Sequence, residues 1–212
     1  MLTAESKKIM IIKVCGMRDA ANIRELELLD IDWMGFIFYP GSSRYVGRNL
    51  SYIPLKVKKI GVFVDQDPQI VRERAKQNQL DAIQLHGNEP PWYCINLREE
   101  GYRIIKSFGI DEDGFVPTAQ LDAYEGKCDY FLFDRKTMLH GGSGRKFDWS
   151  RLADYPGDTP FLLSGGISSE DVEEIKSFVH PRFAGIDINS RFEIEPALKD
   201  IEMIKEFVKQ LR

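Results

Sequence analysis

Apolar positions along the chain fall into many short runs. Eight runs rich in β-branched and aromatic residues recur: Ile9–Val14, Trp33–Tyr39, Ile60–Val64, Ala82–Leu85, Arg103–Phe108, Tyr130–Phe133, Phe161–Leu163 and Phe183–Ile188. Most are nearly continuous in apolar character, as expected for strands buried on both faces of a parallel sheet. The stretches between them carry helical spacing. Asp19–Leu29 places Ile23, Leu26 and Leu29 on one face, and Ser169–Val179 does the same with Val172, Ile175 and Val179. Asp67–Leu80 opens on Asp67-Pro68, a cap followed by proline in the first turn, and Pro90–Glu100 also begins with proline. Ile201, Ile204, Val208 and Leu211 mark a final amphipathic helix. Signals after the second and fifth strands are weaker, because Pro54, Gly114 and Pro117 interrupt them.

Eight strands alternating with about eight helices predict an α/β fold, a (β/α)₈ (TIM) barrel. No linker or low-complexity segment divides the chain, so residues 1–212 read as a single domain. A doubly wound open sheet fits less well. Cys15-Gly16-Met17-Arg18 is not the glycine-rich turn such a sheet places after its first strand.

Composition narrows the function classes. The chain of 212 residues is 43% hydrophobic and 29% charged, with a formal net charge of −4. That balance argues against nucleic acid or an anionic membrane as partner, since both favour a basic face. It leaves room for a small anionic ligand held at a local site. The three cysteines, Cys15, Cys94 and Cys128, are widely spaced and form no CxxC or Cys/His cluster. No zinc site and no disulfide framework are expected, and a cytoplasmic setting fits. The apolar run after the polar N-terminus is broken by Lys13, too short for a signal-peptide core. No run approaches the roughly 18 apolar residues of a membrane span.

In such barrels the site forms at the C-terminal ends of the strands. There the sequence places Cys15, then Arg44 in a Gly/Ser-rich turn, Asp65, His86, Lys106, Asp134, Ser164-Gly165-Gly166, and Asp187-Ile188-Asn189-Ser190. Gly165 and Gly166 lead into a helix, whose free N–H groups attract anions, and Asn189 and Ser190 add donors one strand along. These four are the candidate phosphate cradle. Asp134 closes an apolar strand, so desolvation should raise its pKa and suit it to act as an acid. The run His140–Lys146, with Gly142, Ser143 and Gly144, reads as a loop able to close over a ligand. Arg44 suits a carboxylate or phosphate. His86 is a candidate acid–base or substrate-contacting group, and a hydrogen-bonded structural histidine is the favoured reading. Cys94 and Cys128 read as structural.

The ordered set resembles the phosphoribosylanthranilate isomerase family of tryptophan biosynthesis. The matching segments are Lys13-Val14-Cys15-Gly16, Gly35–Pro40 with Ser43–Val46, Gly61–Val64, Gln84–Gly87, Asp134 with Gly141–Gly144 and Phe147–Trp149, Leu163–Gly166 and Asp187–Ser190. The resemblance implies an Amadori rearrangement of a phosphorylated aminoaldose, with no metal or organic cofactor, in a monomer or homodimer. It implies Cys15 as general base and Asp134 as general acid, with Arg44 near the anthranilate carboxylate and Asp187 touching the substrate. Thiolate character at Cys15 is expected from inward-pointing helix N-termini and the partly enclosed site. A related phosphosugar isomerase or synthase, or a catalytically silent barrel, is the alternative. Cys15 weighs against the former, and the joint presence of Cys15 and Asp134 against the latter. Arg191 departs from the family pattern, which often has glycine there, and leaves the shape of the phosphate loop open.

Overall fold

The computed structural model describes residues 10–111, 118–135 and 148–212. The candidate loop at Gly142, Ser143 and Gly144 lies outside these. Eight parallel strands close into a barrel in sequential order: β1 (Ile11–Val14), β2 (Trp33–Ile37), β3 (Lys58–Phe63), β4 (Ala82–Leu85), β5 (Arg103–Ile110), β6 (Tyr130–Arg135), β7 (Phe161–Leu163) and β8 (Phe183–Ile188). The ring shuts where β1 pairs with β8. The helices are α1 (Ala20–Leu26), α2 (Pro68–Gln77), α3 (Pro91–Glu99), α4 (Thr118–Asp122), α5 (Val172–Ser177) and α6 (Ile201–Leu211).

Local chemistry starts most of these helices. Asp19, Asp67 and Asp200 each accept an N–H from the first turn, and Ser168 with Asp171 forms a reciprocal capping box ahead of α5. The weak signals after β2 and β5 correspond to real gaps. Between β2 and β3 the chain forms turns without a helix, and α4 has five residues. A 3₁₀ segment, Trp149–Asp154, precedes β7. Strand limits differ from the sequence pattern at several ends. β6 extends to Arg135, so Asp134 lies inside the strand. Beyond β8, two short strands, β9 (Glu193–Glu195) and β10 (Leu198–Lys199), make a hairpin before α6.

Strand residues alternate between two faces, which in a closed barrel are inside and outside. The outer set, including Ile12, Phe36, Phe63, Ile83, Phe131 and Leu163, packs into the main core under the helices. The inner set forms a smaller cluster of Trp33, Ile60, Ala82, Ile105, Leu132 and Leu162. One step further along this inner series, past Ala82, Ile105, Leu132 and Leu162, the side chains turn polar: Gln84, Ser107, Asp134 and Ser164. Among the described residues, no helix is long and apolar enough to cross a membrane.

Candidate active site

This inner layer opens into a cavity at the strands' C-terminal ends. Cys15, Arg44, His86, Asp134, Gly165, Gly166, Asp187, Asn189 and Ser190 all line it. Every rim candidate named from sequence for acid, base, carboxylate or phosphate contact, outside the Gly142 loop, therefore reaches one space. Asp65 and Lys106 do not. Asp65 accepts the Asn88 N–H in the neighbouring loop. Lys106 pairs with Glu89 at 3.1 Å, both 2% exposed. Cys94 and Cys128 are buried and do not line the cavity.

Cys15 sits just past β1, 4% exposed, its N–H donated to the Ile188 carbonyl. Opposite it on β2 is Gly35, where a Cβ would lie 2.6 Å from Sγ. Only a residue without a side chain leaves the thiol in place. Gly35→Ala is expected to displace Cys15 and lower kcat by about 10²-fold while far-UV circular dichroism stays unchanged. Steady-state kinetics on the purified variant checks this, and wild-type turnover would show that the thiol's position is not critical.

Below Cys15 lies a buried ion pair that composition and motif left unnoticed. Register places Lys13 beside Asp187, and Lys13 Nζ donates to Asp187 Oδ1 at 2.9 Å, with the side chains 0% and 5% exposed. Burial works against the Lys13 charge, but Asp187 and Cys15 outweigh it and raise its pKa. Burial likewise raises the Asp187 carboxyl, opposed by Lys13. The thiol does not ionise easily in this setting. Burial pushes Cys15 up, and the groups that chiefly oppose burial are the Lys13 and Lys199 ammoniums. An apolar barrel interior desolvates a thiolate more than these cations compensate.

Asp134 is raised to about 7, first by burial and then by the Asp187 charge. Its side chain is 26% exposed, and His86 Nε2 stands 3.6 Å from Oδ2. Gln84, buried on β4 two residues before His86, donates Nε2 to His86 Nδ1 at 3.0 Å and to Ser107 Oγ at 3.2 Å. Gln84 thereby fixes the orientation of the His86 ring, whose Nε2 faces Asp134.

Gly165 and Gly166 adopt left-handed backbone (φ +83° and +80°), and a Cβ at Gly165 would lie 2.6 Å from the Arg135 nitrogen. The turn therefore runs hard against the end of β6 and faces the cavity. Arg191 occupies a 3₁₀ turn, Ser190–Phe192, without positive φ, and is exposed. The loop accommodates arginine in ordinary backbone, and Arg191 does not line the cavity. Arg44 lies against Glu193, with Nε at 2.9 Å from Oε1 and Nη2 at 2.6 Å from Oε2. Among the described residues, no group of three His, Cys, Asp or Glu side chains is placed to hold a metal ion.

The family model for N-(5′-phosphoribosyl)anthranilate isomerase matches residues 12–210. The chain belongs to that family. It is 52% identical over 209 residues to the N-(5′-phosphoribosyl)anthranilate isomerase of Parabacteroides distasonis, covering 95% of this chain and 93% of that one. The crystal structure of phosphoribosyl anthranilate isomerase from Thermotoga maritima superposes with a TM-score of 0.80 at 31% identity, covering 96% and 98%. Another isomerase, solved in complex with reduced 1-(o-carboxyphenylamino)-1-deoxyribulose 5-phosphate, gives 0.77 at 28% identity, again over 96% and 98%. Family membership fits the geometry: a buried thiol, a raised carboxylic acid and a glycine turn with Asn189 and Ser190 face one cavity.

Proposed function

We propose that this barrel isomerises N-(5-phosphoribosyl)anthranilate to 1-(2-carboxyphenylamino)-1-deoxyribulose 5-phosphate, a step of tryptophan biosynthesis. The observation that carries the reading is the pairing of Cys15 and Asp134 across a cavity rimmed by Gly165, Gly166, Asn189 and Ser190. Asp134, with its pKa near 7, gives its proton to the furanose ring oxygen. The ring C–O bond breaks as the nitrogen lone pair forms a C1′=N iminium. Cys15, as thiolate, takes the C2′ proton, and the C–H electrons form the C1′=C2′ bond while the iminium nitrogen regains its lone pair. The resulting enolamine becomes the ketone by moving the C2′ hydroxyl proton to C1′ through proton exchange. The iminium places a positive charge near Sγ and adds to Lys13 and Lys199 in favouring the thiolate.

The phosphate is held by the glycine turn with Asn189 and Ser190, the ring carboxylate by Arg44, and Asp187 and His86 contact the sugar. Nothing in this sequence of steps needs a cofactor. The decisive assay generates phosphoribosylanthranilate in situ and follows its fluorescence loss on adding the protein. Acceleration over the spontaneous rate is expected; its absence would leave only a silent phosphometabolite-binding barrel.

A further inference from the structure

Arg44 does not stand alone in the cavity wall. Its Nε–Nη2 edge is forked onto Glu193, with Nε 2.9 and 3.1 Å from the two carboxylate oxygens and Nη2 2.6 Å from Oε2. The Arg44 side chain is 11% exposed and that of Glu193 4%. Glu193 is the first residue of β9. Its Oε1 also accepts the Lys199 ammonium at 2.7 Å and the Ala197 N–H at 3.1 Å. Lys199, on β10 and fully enclosed, continues to Asn189, at 2.7 Å from Oδ1 and 3.2 Å from the carbonyl oxygen. The result is a buried chain from the arginine that faces a carboxylate to the asparagine of the phosphate rim. Arg44 and Asn189 line the cavity; Glu193 and Lys199 do not.

We propose that Glu193 is a positioning residue that decides which edge of Arg44 meets the substrate's ring carboxylate, and that Lys199 ties that edge to Asn189 in the phosphate rim. The proposal rests on Arg44 binding the ring carboxylate. Physical reasons favour it. An arginine with its Nε–Nη2 edge on a buried carboxylate cannot present that edge to a ligand, so the substrate meets the Nη1 side. A guanidinium held by three hydrogen bonds is placed before the substrate arrives, and the cost of ordering a long side chain is met during folding. Glu193 carries one negative charge between two cations, so the unit keeps a single net positive charge toward an anionic ligand. Since Lys199 also holds Asn189, the rim cannot shift without pulling on Glu193. Carboxylate selection and phosphate placement thereby share one rigid unit, which sets the distance between the substrate's two anionic ends.

A merely structural role for the β9–β10 hairpin makes a different forecast. The test compares binding of reduced 1-(o-carboxyphenylamino)-1-deoxyribulose 5-phosphate with that of its phenylamino counterpart, which lacks the carboxylate. Competitive inhibition constants are measured on wild type, Arg44→Ala and Glu193→Gln. The wild type should favour the carboxylate-bearing ligand, and Arg44→Ala should abolish that preference. Glu193→Gln should cut the preference by about tenfold, the scale of a charge-assisted hydrogen bond, and weaken the carboxylate-free ligand, which still loads the coupled phosphate rim, by less. KM should rise with little change in kcat. Equal weakening toward both ligands, or an unchanged preference in Glu193→Gln while Arg44→Ala loses it, overturns the proposal. An unchanged preference in Arg44→Ala instead removes the underlying reading of Arg44. If Glu193→Gln does not fold, Glu193→Asp keeps the charge but shortens the reach, and the same ratio decides.

Discussion

Asp134→Asn is expected to lower kcat by at least about 10²-fold and, at pH 8, to make the protein more stable. Both effects come from the same physical fact. The carboxyl is raised from 3.8 to about 7, chiefly by burial and secondarily by Asp187. A raised acid binds its proton more tightly in the folded state, so the stability it confers is complete below about pH 4 and is lost as pH rises through 7. The rise corresponds to a ceiling of roughly 4 kcal/mol. Asparagine cannot ionise and escapes that loss, but it has no proton to give the ring oxygen. Urea unfolding at pH 4.5 and pH 8 should show the variant's advantage growing several-fold at the higher pH. Retained turnover would remove Asp134 from the acid role, and equal stability at both pH values would contradict its raised pKa.

Cys15→Ser is expected to lose kcat by a similar factor, at least about 10²-fold, with substrate still bound. Serine fills nearly the same space, but its hydroxyl is far too weak an acid to supply an anionic base beside Lys13. The pH profile tests the pair more closely. Asp134 ionises near 7 while the Cys15 thiol is held above its ordinary value. Below pH 7 both groups keep their protons and no thiolate is present. Far above 7 both have lost them and no acid is present. Activity therefore needs one proton shared between the two, and kcat/KM should rise through about pH 7 to a plateau on its alkaline side. The productive species, with the proton on Asp134 and the charge on sulfur, is the minor tautomer there, and the substrate iminium shifts it in favour of the thiolate. An optimum below pH 7 would show that the pair gives up its first proton below 7 and would contradict a carboxyl raised to about 7.

Much of this site was legible before the structure. Period, turn chemistry and strand count placed Cys15, Asp134, Asp187 and the Gly165–Ser190 rim at the same end of a barrel. They did so because strand ends in this fold are fixed by where apolar runs stop. Lys13 and Gln84 also left a trace, as polar residues at alternate positions inside apolar strands. In an isolated strand such a residue reads as solvent-facing, and only barrel closure turns that face inward. Glu193 and Lys199 left no comparable trace. A charged hairpin after the last strand looks like surface, and its pairing with Arg44 spans about 150 residues of chain, with Glu193 Oε2 2.6 Å from Nη2.

The sequence by itself determined the eight-strand order, the helix starts at Asp19 and Asp67, and the residue types at the strands' C-terminal rim. All of these follow from local periodicity and capping. Tertiary structure alone decided that Lys13 pairs with Asp187, that Gly35 makes room for Sγ, that Arg44 offers one edge only, and that burial raises the Cys15 thiol. Each of these depends on side chains from distant strands meeting in a desolvated interior. There, distances of a few ångströms and the absence of water set charge states that a linear pattern does not encode.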